Sequence, residues 1–231
     1  MLQNITHYYG CTLAASDGAI GHVKDFYFDD RAWVVRYLVA DTGSWLTGRQ
    51  VLLTPHSFGR VDAAEKTFAV NLTRQQIADS PSIEQHKPVS RQYEIDYYQY
   101  YGWPAYWNGD AIWGLGGFPV VMPPSKDQIE AQQQPHHHDD KHLLSTRAVA
   151  GYTLHGSDGD IGLVSGFMVD KKSWAIRQLA VETGHWYAGR EILIPTNAVE
   201  GVSYEDSKVF VRLARSALQH SAAQTVVKSG S

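Results

Sequence analysis

A single offset governs this chain of 231 residues. Ser16-Asp17-Gly18-Ala19-Ile20-Gly21 returns as Ser157-Asp158-Gly159-Asp160-Ile161-Gly162, and the same displacement of 141 positions carries Gly10 onto Gly151 and Ser80 onto Ser221 without a gap. Among the identities it preserves are Phe26/Phe167, Asp29/Asp170, Trp33/Trp174, Arg36/Arg177, Gly43/Gly184, Trp45/Trp186, Gly48/Gly189 and Arg49/Arg190. Chance does not hold one register over about 70 residues, so the chain is two copies of one module with loops of equal length. A module of that size buries too little surface to be comfortably stable alone. Packing of one copy on the other, in a pseudo-twofold arrangement, is therefore expected.

Each copy reads as β structure. In the first, Gly10 to Ala14 is a short strand, Ser16-Asp17-Gly18 supplies turn chemistry, and Ile20 to Phe28 is a second strand. Asp29-Asp30-Arg31 turns the chain into a third strand, Trp33 to Thr42, rich in aromatic and β-branched residues. A loop from Gly43 to Gly48 leads to a fourth strand, Arg49 to Thr54, and two short strands follow around Val61 and over Thr67 to Leu72. Thr73-Arg74-Gln75-Gln76 is a capping box that predicts a short helix over Gln75 to Asp79; the second copy has Ala214 in place of Thr73 and should start its helix more weakly. Residues common to both copies have structural readings. Gly21/Gly162 and Gly48/Gly189 serve backbone geometry, and Trp33/Trp174 fill the core. Arg36/Arg177 or Arg49/Arg190 pair with a carboxylate such as Asp41/Glu182.

Asp17-Gly18-x-Ile20-Gly21-x-Val23, an aromatic strand ending in Asp29, Trp33-x-x-Arg36-x-Leu38 and Gly48-Arg49-x-x-Leu52 all recur in the second copy. Together they resemble the PRC-barrel, the module in the cytoplasmic part of the photosynthetic reaction centre H subunit and at the C-terminus of a ribosome maturation factor. The resemblance implies a mainly β chain. Two small antiparallel barrels, over residues 8–81 and 149–222, would be joined by an aromatic, partly helical linker (82–148) and followed by a disordered tail (223–231). The family brings no shared catalytic motif. It implies a non-enzymatic scaffold or adaptor for protein–protein association, including peripheral association with a membrane or electron-transport complex. The alternatives are a ribosome- or RNA-associated assembly factor and a small-ligand or metal-binding module.

The linker does not repeat, and it holds most of the candidate binding residues. A helix starting at Ser90 places Tyr93, Tyr97, Tyr100 and Tyr101 on one stripe, and Gly102 and Pro104 end it. Trp103 and Trp107 follow. With the Trp45 and Trp186 loops, these aromatics are the candidate partner-binding residues, because Tyr and Trp are enriched at interface cores. So dense an aromatic run also predicts a homodimer. His136, His137, His138 and Asp139 are candidate ligands for a divalent transition metal. Contiguous histidines in a polar loop seldom make a preorganised site, so adventitious nickel or zinc binding is the competing reading, and no native cofactor is expected.

Other classes are argued against. A net charge of −4, with no Lys/Arg cluster along the chain, lacks the basic footprint of a nucleic-acid binder. Cys11 is the only cysteine, which excludes an intrachain disulfide and a thiolate metal cage and fits a reducing compartment. Met1 to His7 does not read as a signal peptide, and the longest apolar stretch, Ala111 to Met122, is too short and too broken to span a bilayer. A cytoplasmic protein is expected. His155-Gly156-Ser157-Asp158 gathers triad residue types within one turn, where nucleophile and base cannot align, and the glycines from Gly114 to Gly117 match no phosphate-loop spacing.

Overall fold

The structure, a computed structural model, describes residues 1–46, 48–62, 64–80, 91–103, 143–184 and 190–218. The chain divides into two compact units, Met1–Ala78 with His142–Ser231, and Asp79–Lys141. The first unit is mainly β and contains both copies as two seven-stranded sheets. In the first copy the strands are β2 (Thr12–Ala15), β3 (Gly18–Asp29), β4 (Val34–Asp41), β5 (Gln50–Leu53), β6 (Phe58–Asp62) and β7 (Thr67–Val70), laid out in the order β5-β4-β3-β2-β7-β6. The second copy repeats this with β9 (Thr153–Gly156), β10 (Gly159–Asp170), β11 (Ile176–Thr183), β12 (Glu191–Pro195), β13 (Val199–Ser203) and β14 (Lys208–Val211). All ladders are antiparallel except β2 with β7 and β14 with β9.

Closed barrels are expected from the sequence, but the described ladders leave each sheet open, with β5 and β6 at opposite edges. In both copies a 3-10 turn, Pro55–Ser57 or Thr196–Ala198, stands between the two edge strands. Pro55 cannot donate to a ladder, and Pro55–Ser57 forms a 3-10 turn in which the Ser57 N–H and hydroxyl both donate to the Thr54 carbonyl.

The seventh strand of each sheet comes from the other copy. β1 (Leu2–Asn4) pairs with β10 and β8 (Leu143–Ser145) pairs with β3. The registers correspond residue for residue, Leu2 opposite Asp170 and Leu143 opposite Asp29. Residues 143–148, which the sequence reading places in the linker, thus belong with Val149 to β8 and a single helical turn, α3 (Thr146–Val149), of the first unit. β3 is long: its first half is flanked by β2, and its second half would be a bare edge without β8. Where the chains cross, the Asp25 carboxylate accepts from the Ser145 and Thr146 hydroxyls and the Arg147 N–H. At the equivalent place stands Gly166, where an added Cβ would lie 2.6 Å from the Asn4 side chain.

A second reciprocal contact ties the copies at their centres. The Val35 N–H donates to the Trp174 carbonyl (3.0 Å), and the Ile176 N–H donates to the Trp33 carbonyl (2.7 Å). The two bonds interchange under the 141-residue offset, as the expected pseudo-twofold arrangement requires.

The turns before β4 and β11 differ from the sequence reading. Trp33 and Trp174 are expected inside their strands but sit just before them in the left-handed region, at φ 51° and 56°. A non-glycine residue held there costs on the order of 1–3 kcal/mol, and a shared turn holds it. The Asp29 carboxylate accepts from the Arg31 and Ala32 N–H groups while the Trp33 N–H donates to the Asp29 carbonyl; Asp170, Lys172, Ser173 and Trp174 repeat the motif. Trp174 is 6 % exposed and crosses into the first copy, against Tyr8 (5.4 Å), Phe26 (5.8 Å), Phe58 (4.8 Å) and Phe68 (5.7 Å). Trp33 is half-buried and stacks on Phe28 at 5.4 Å.

Several local expectations correspond to the geometry. The capping box at α1 (Arg74–Ala78) is closed by the Thr73 N–H on Gln76 Oε1 (2.9 Å) and the Gln76 N–H on the Thr73 hydroxyl (3.2 Å). A Cβ on Gly21 would stand 1.9 Å from the Asp41 carbonyl oxygen, which explains why both copies keep glycine there. The expected ion pair is different: Arg36 pairs with Asp29 at 3.1 Å, because the Asp41 carboxylate is turned to the Gly43 N–H. Arg49 Nη1 donates to the Ala78 carbonyl at the end of α1.

Truncating Trp174 empties the aromatic junction between the copies, so Trp174→Ala should destabilise the protein by ~3–5 kcal/mol, the range for deleting a large core aromatic. Trp33→Ala should cost clearly less. Urea denaturation of both variants measures this, and equal losses would show that the burial difference carries no energy.

Candidate functional site

The aromatic junction opens into a cleft of roughly 340 Å³ lined by Tyr8, Pro55, Phe58, Gly59, Arg60, Val61 and the turn Lys171-Lys172-Ser173-Trp174. Its floor is the ring cluster in which Phe58 meets Trp174 edge-on and Tyr8 packs beside them. One wall is β6. Phe58 pairs with Val70 and Val61 with Phe68, so an extra residue is accommodated between them, and a bulge of this kind re-aims side chains. Four consecutive residues of the strand line the cleft, so it reaches the strand's edge as well as one of its faces. The opposite wall is the Asp170–Trp174 turn, fixed by the carboxylate cap just described.

The cleft's electrostatics are one-sided. Arg60, Lys171 and Lys172 are exposed, and among the described residues none of their side chains is in an ion pair or a hydrogen bond. No carboxylate lines the cleft. Asp170, the nearest acid in sequence, is occupied by the Lys172 and Ser173 N–H groups, the Ser173 hydroxyl and the Met1 amine at 3.2 Å. Burial, helped by the nearby Cys11 thiol, pushes the Tyr8 hydroxyl up to about 12, so it remains a neutral donor at any physiological pH. Neither that hydroxyl nor the Trp174 indole N–H has a hydrogen-bond partner among the described residues.

The second unit presents the aromatic helix. α2 (Arg91–Tyr101) ends where expected, with Gly102 at φ 66° and the Trp103 N–H donating to the Tyr98 carbonyl. Tyr97 and Tyr98 are buried, Tyr101 and Trp103 are half-buried and stacked at 4.5 Å, and Tyr100 is exposed and meets Tyr101 edge-on at 4.8 Å. The predicted stripe is therefore split: Tyr97 lies inside, in ring contact with Tyr98, Tyr101 and Trp103, and Tyr100 lies outside. Trp45 is on its loop with the Arg74 guanidinium 4.9 Å from the ring centre, which covers part of the face expected to be free. The Tyr93 side chain, Trp107, Trp186 and the candidate metal ligands His136, His137, His138 and Asp139 lie outside the described residues. Among the described residues no group of three or more His, Cys, Asp or Glu is placed to hold a metal, and no helix is long and apolar enough to cross a membrane.

The cleft was missed on sequence. A search for basic runs along the chain cannot find a cationic wall built from Arg60 and the far-removed Lys171-Lys172. The signal lay in positions where the two copies differ. The chain matches no protein-family model and no curated protein sequence.

The Asp170 and Asp29 caps give the fold a pH dependence. Backbone N–H groups of Ser173 and Lys172, with the Met1 amine, hold the Asp170 carboxyl well below the usual carboxylate range. At Asp29 burial pushes the other way, but the bonds from Ala32, Arg36 and Arg31 outweigh it and the carboxyl is again lowered. A carboxyl lowered by folding contributes stability above its unfolded value of about 3.9 and loses it as pH falls through the folded value. The melting temperature should thus be level near neutrality and fall below about pH 4. Asp29→Ala with Asp170→Ala should lower the neutral plateau and flatten the acid limb; an acid limb unchanged in the double variant would remove these caps from the account.

Proposed function

We propose that the chain is a non-enzymatic scaffold of the PRC-barrel kind that works by protein–protein association, its own dimerisation included. The observation that carries the reading is the aromatic cluster closing α2. Tyr100, Tyr101 and Trp103 are held against one another, and Tyr100 is 42 % exposed. Rings ordered in advance lose little freedom when a partner covers them, which is the property of residues that dominate interface energetics. The PRC-type assignment is supported by the motifs that recur in both copies and by the identical strand order of the two sheets. On this reading the protein acts in the cytoplasm. The resemblance to the H subunit supplies the partner class, a membrane-bound complex met from its soluble side.

Light scattering at tens of micromolar should return about twice the 25.8 kDa of one chain. Tyr100→Ser with Tyr101→Ser and Trp103→Ser should return the single-chain mass while leaving far-ultraviolet dichroism unchanged. A wild type that stays at the single-chain mass would overturn self-association through this cluster.

A further inference from the structure

We propose that the cleft between the copies is a binding site for a small organic molecule carrying a compact doubly charged oxyanion, of the phosphate monoester class. The two copies supply an internal control, because the pseudo-twofold operation maps the cleft onto a second place with the same backbone. There Arg60 becomes Gly201, Gly59 becomes Glu200, Lys171 becomes Asp30, Tyr8 becomes Val149 and Phe58 becomes Val199, while Lys172 and Trp174 keep their character as Arg31 and Trp33. The same strand order carries either set, so neither the strand nor the turn requires Arg60, Lys171, Tyr8 or Phe58. Their concentration at one of the two places is a property of the cleft and not of the module.

The chemistry of the ligand follows from the groups present. Arg60, Lys171 and Lys172 bring three positive charges to one opening with no carboxylate in the lining. Mutual repulsion of three unneutralised cations is relieved better by a dianion than by a single carboxylate. A guanidinium with two ammonium groups matches the several acceptor oxygens of a phosphate monoester. Tyr8 and Trp174, each with one polar hydrogen, line the cleft as well, and no lining side chain other than the hydroxyls of Tyr8 and Ser173 has an acceptor to set against an acceptor-rich ligand. The cleft's roughly 340 Å³ falls in the range of small-molecule sites. Phe58, half-buried over the floor, gives the organic part of the ligand an apolar surface. The proposal does not depend on the scaffold reading, since none of the cleft's residues belongs to α2.

Isothermal titration of the full chain with phenyl phosphate tests it, with inorganic phosphate, phenylacetate and a hexaglutamate peptide as parallel titrants. Saturable one-to-one binding of phenyl phosphate is expected, weaker binding of inorganic phosphate and of the singly charged phenylacetate, and weakening as salt is raised. Arg60→Gly with Lys171→Asp installs residues that the fold already carries at Gly201 and Asp30. It should bind phenyl phosphate at least about tenfold more weakly, a loss of about 1.4 kcal/mol, with an unchanged urea midpoint. Lys172→Gln, a single exposed change, should weaken binding in the same sense. Absence of saturable binding, or binding that both variants retain, would overturn the proposal. So would binding of the glutamate peptide in preference to phenyl phosphate, which would assign the cleft to an acidic protein segment. Failure of self-association in light scattering would leave this result untouched, so the two readings fail separately.

Discussion

The structure of the first unit depends on an exchange of strands between its two copies. β3 and β10 are each twelve residues long, more than their own hairpin partners can flank on both sides. The exposed half of each is closed by three residues that precede the opposite copy. An unpaired edge in the middle of a sheet leaves backbone donors and acceptors to water or to another chain. Reciprocal pairing removes that liability twice with one device, and the backbone bonds between Val35 and Trp174 and between Ile176 and Trp33 repeat the reciprocity at the centre. Neither copy is structurally complete without the other.

That dependence sets where the copies are free to differ. Positions facing the module's own turns are held constant, as Gly21 and Gly162 are by the carbonyls beside them. Positions at the junction are held only as complementary sets. Asp25 accepts from Ser145 and Thr146 at one crossing, and Gly166 makes room for Asn4 at the other. The first copy's core receives Trp174 among Tyr8, Phe26, Phe58 and Phe68, where the second copy has Val149, Phe167, Val199 and Val209. An asymmetric cleft on a nearly symmetric frame results.

What was legible in the sequence was local or periodic. The gapless offset implied two equal modules, Asp29 and Asp170 announced their turns, and Thr73 with Gln76 announced a cap that the geometry closes. β1 and β8 were not legible, since three-residue strands carry almost no periodicity and their partners lie far along the chain. Trp33 and Trp174 read as strand residues because aromatic content favours strands; the carboxylate-capped turn instead holds them at positive φ. In the candidate site, α2 was legible from its tyrosine spacing, but the division into buried Tyr97 and exposed Tyr100 depends on packing that spacing does not encode. The cationic wall needed the fold itself to bring Arg60 to Lys171 and Lys172.

The exchanged strands also fix the order in which the unit can be completed. β1 is made first, yet its partner segment, Met168 to Asp170, emerges from the ribosome only after the first copy and the whole of residues 79–142 have been synthesised. Until those segments are made, Leu2–Asn4 lacks its partner β10 and the outer half of β3 lacks its partner β8. Contacts this distant in sequence are formed late and slow folding. The pair of copies, and not either one alone, is the smallest piece of the unit in which both sheets hold all seven strands.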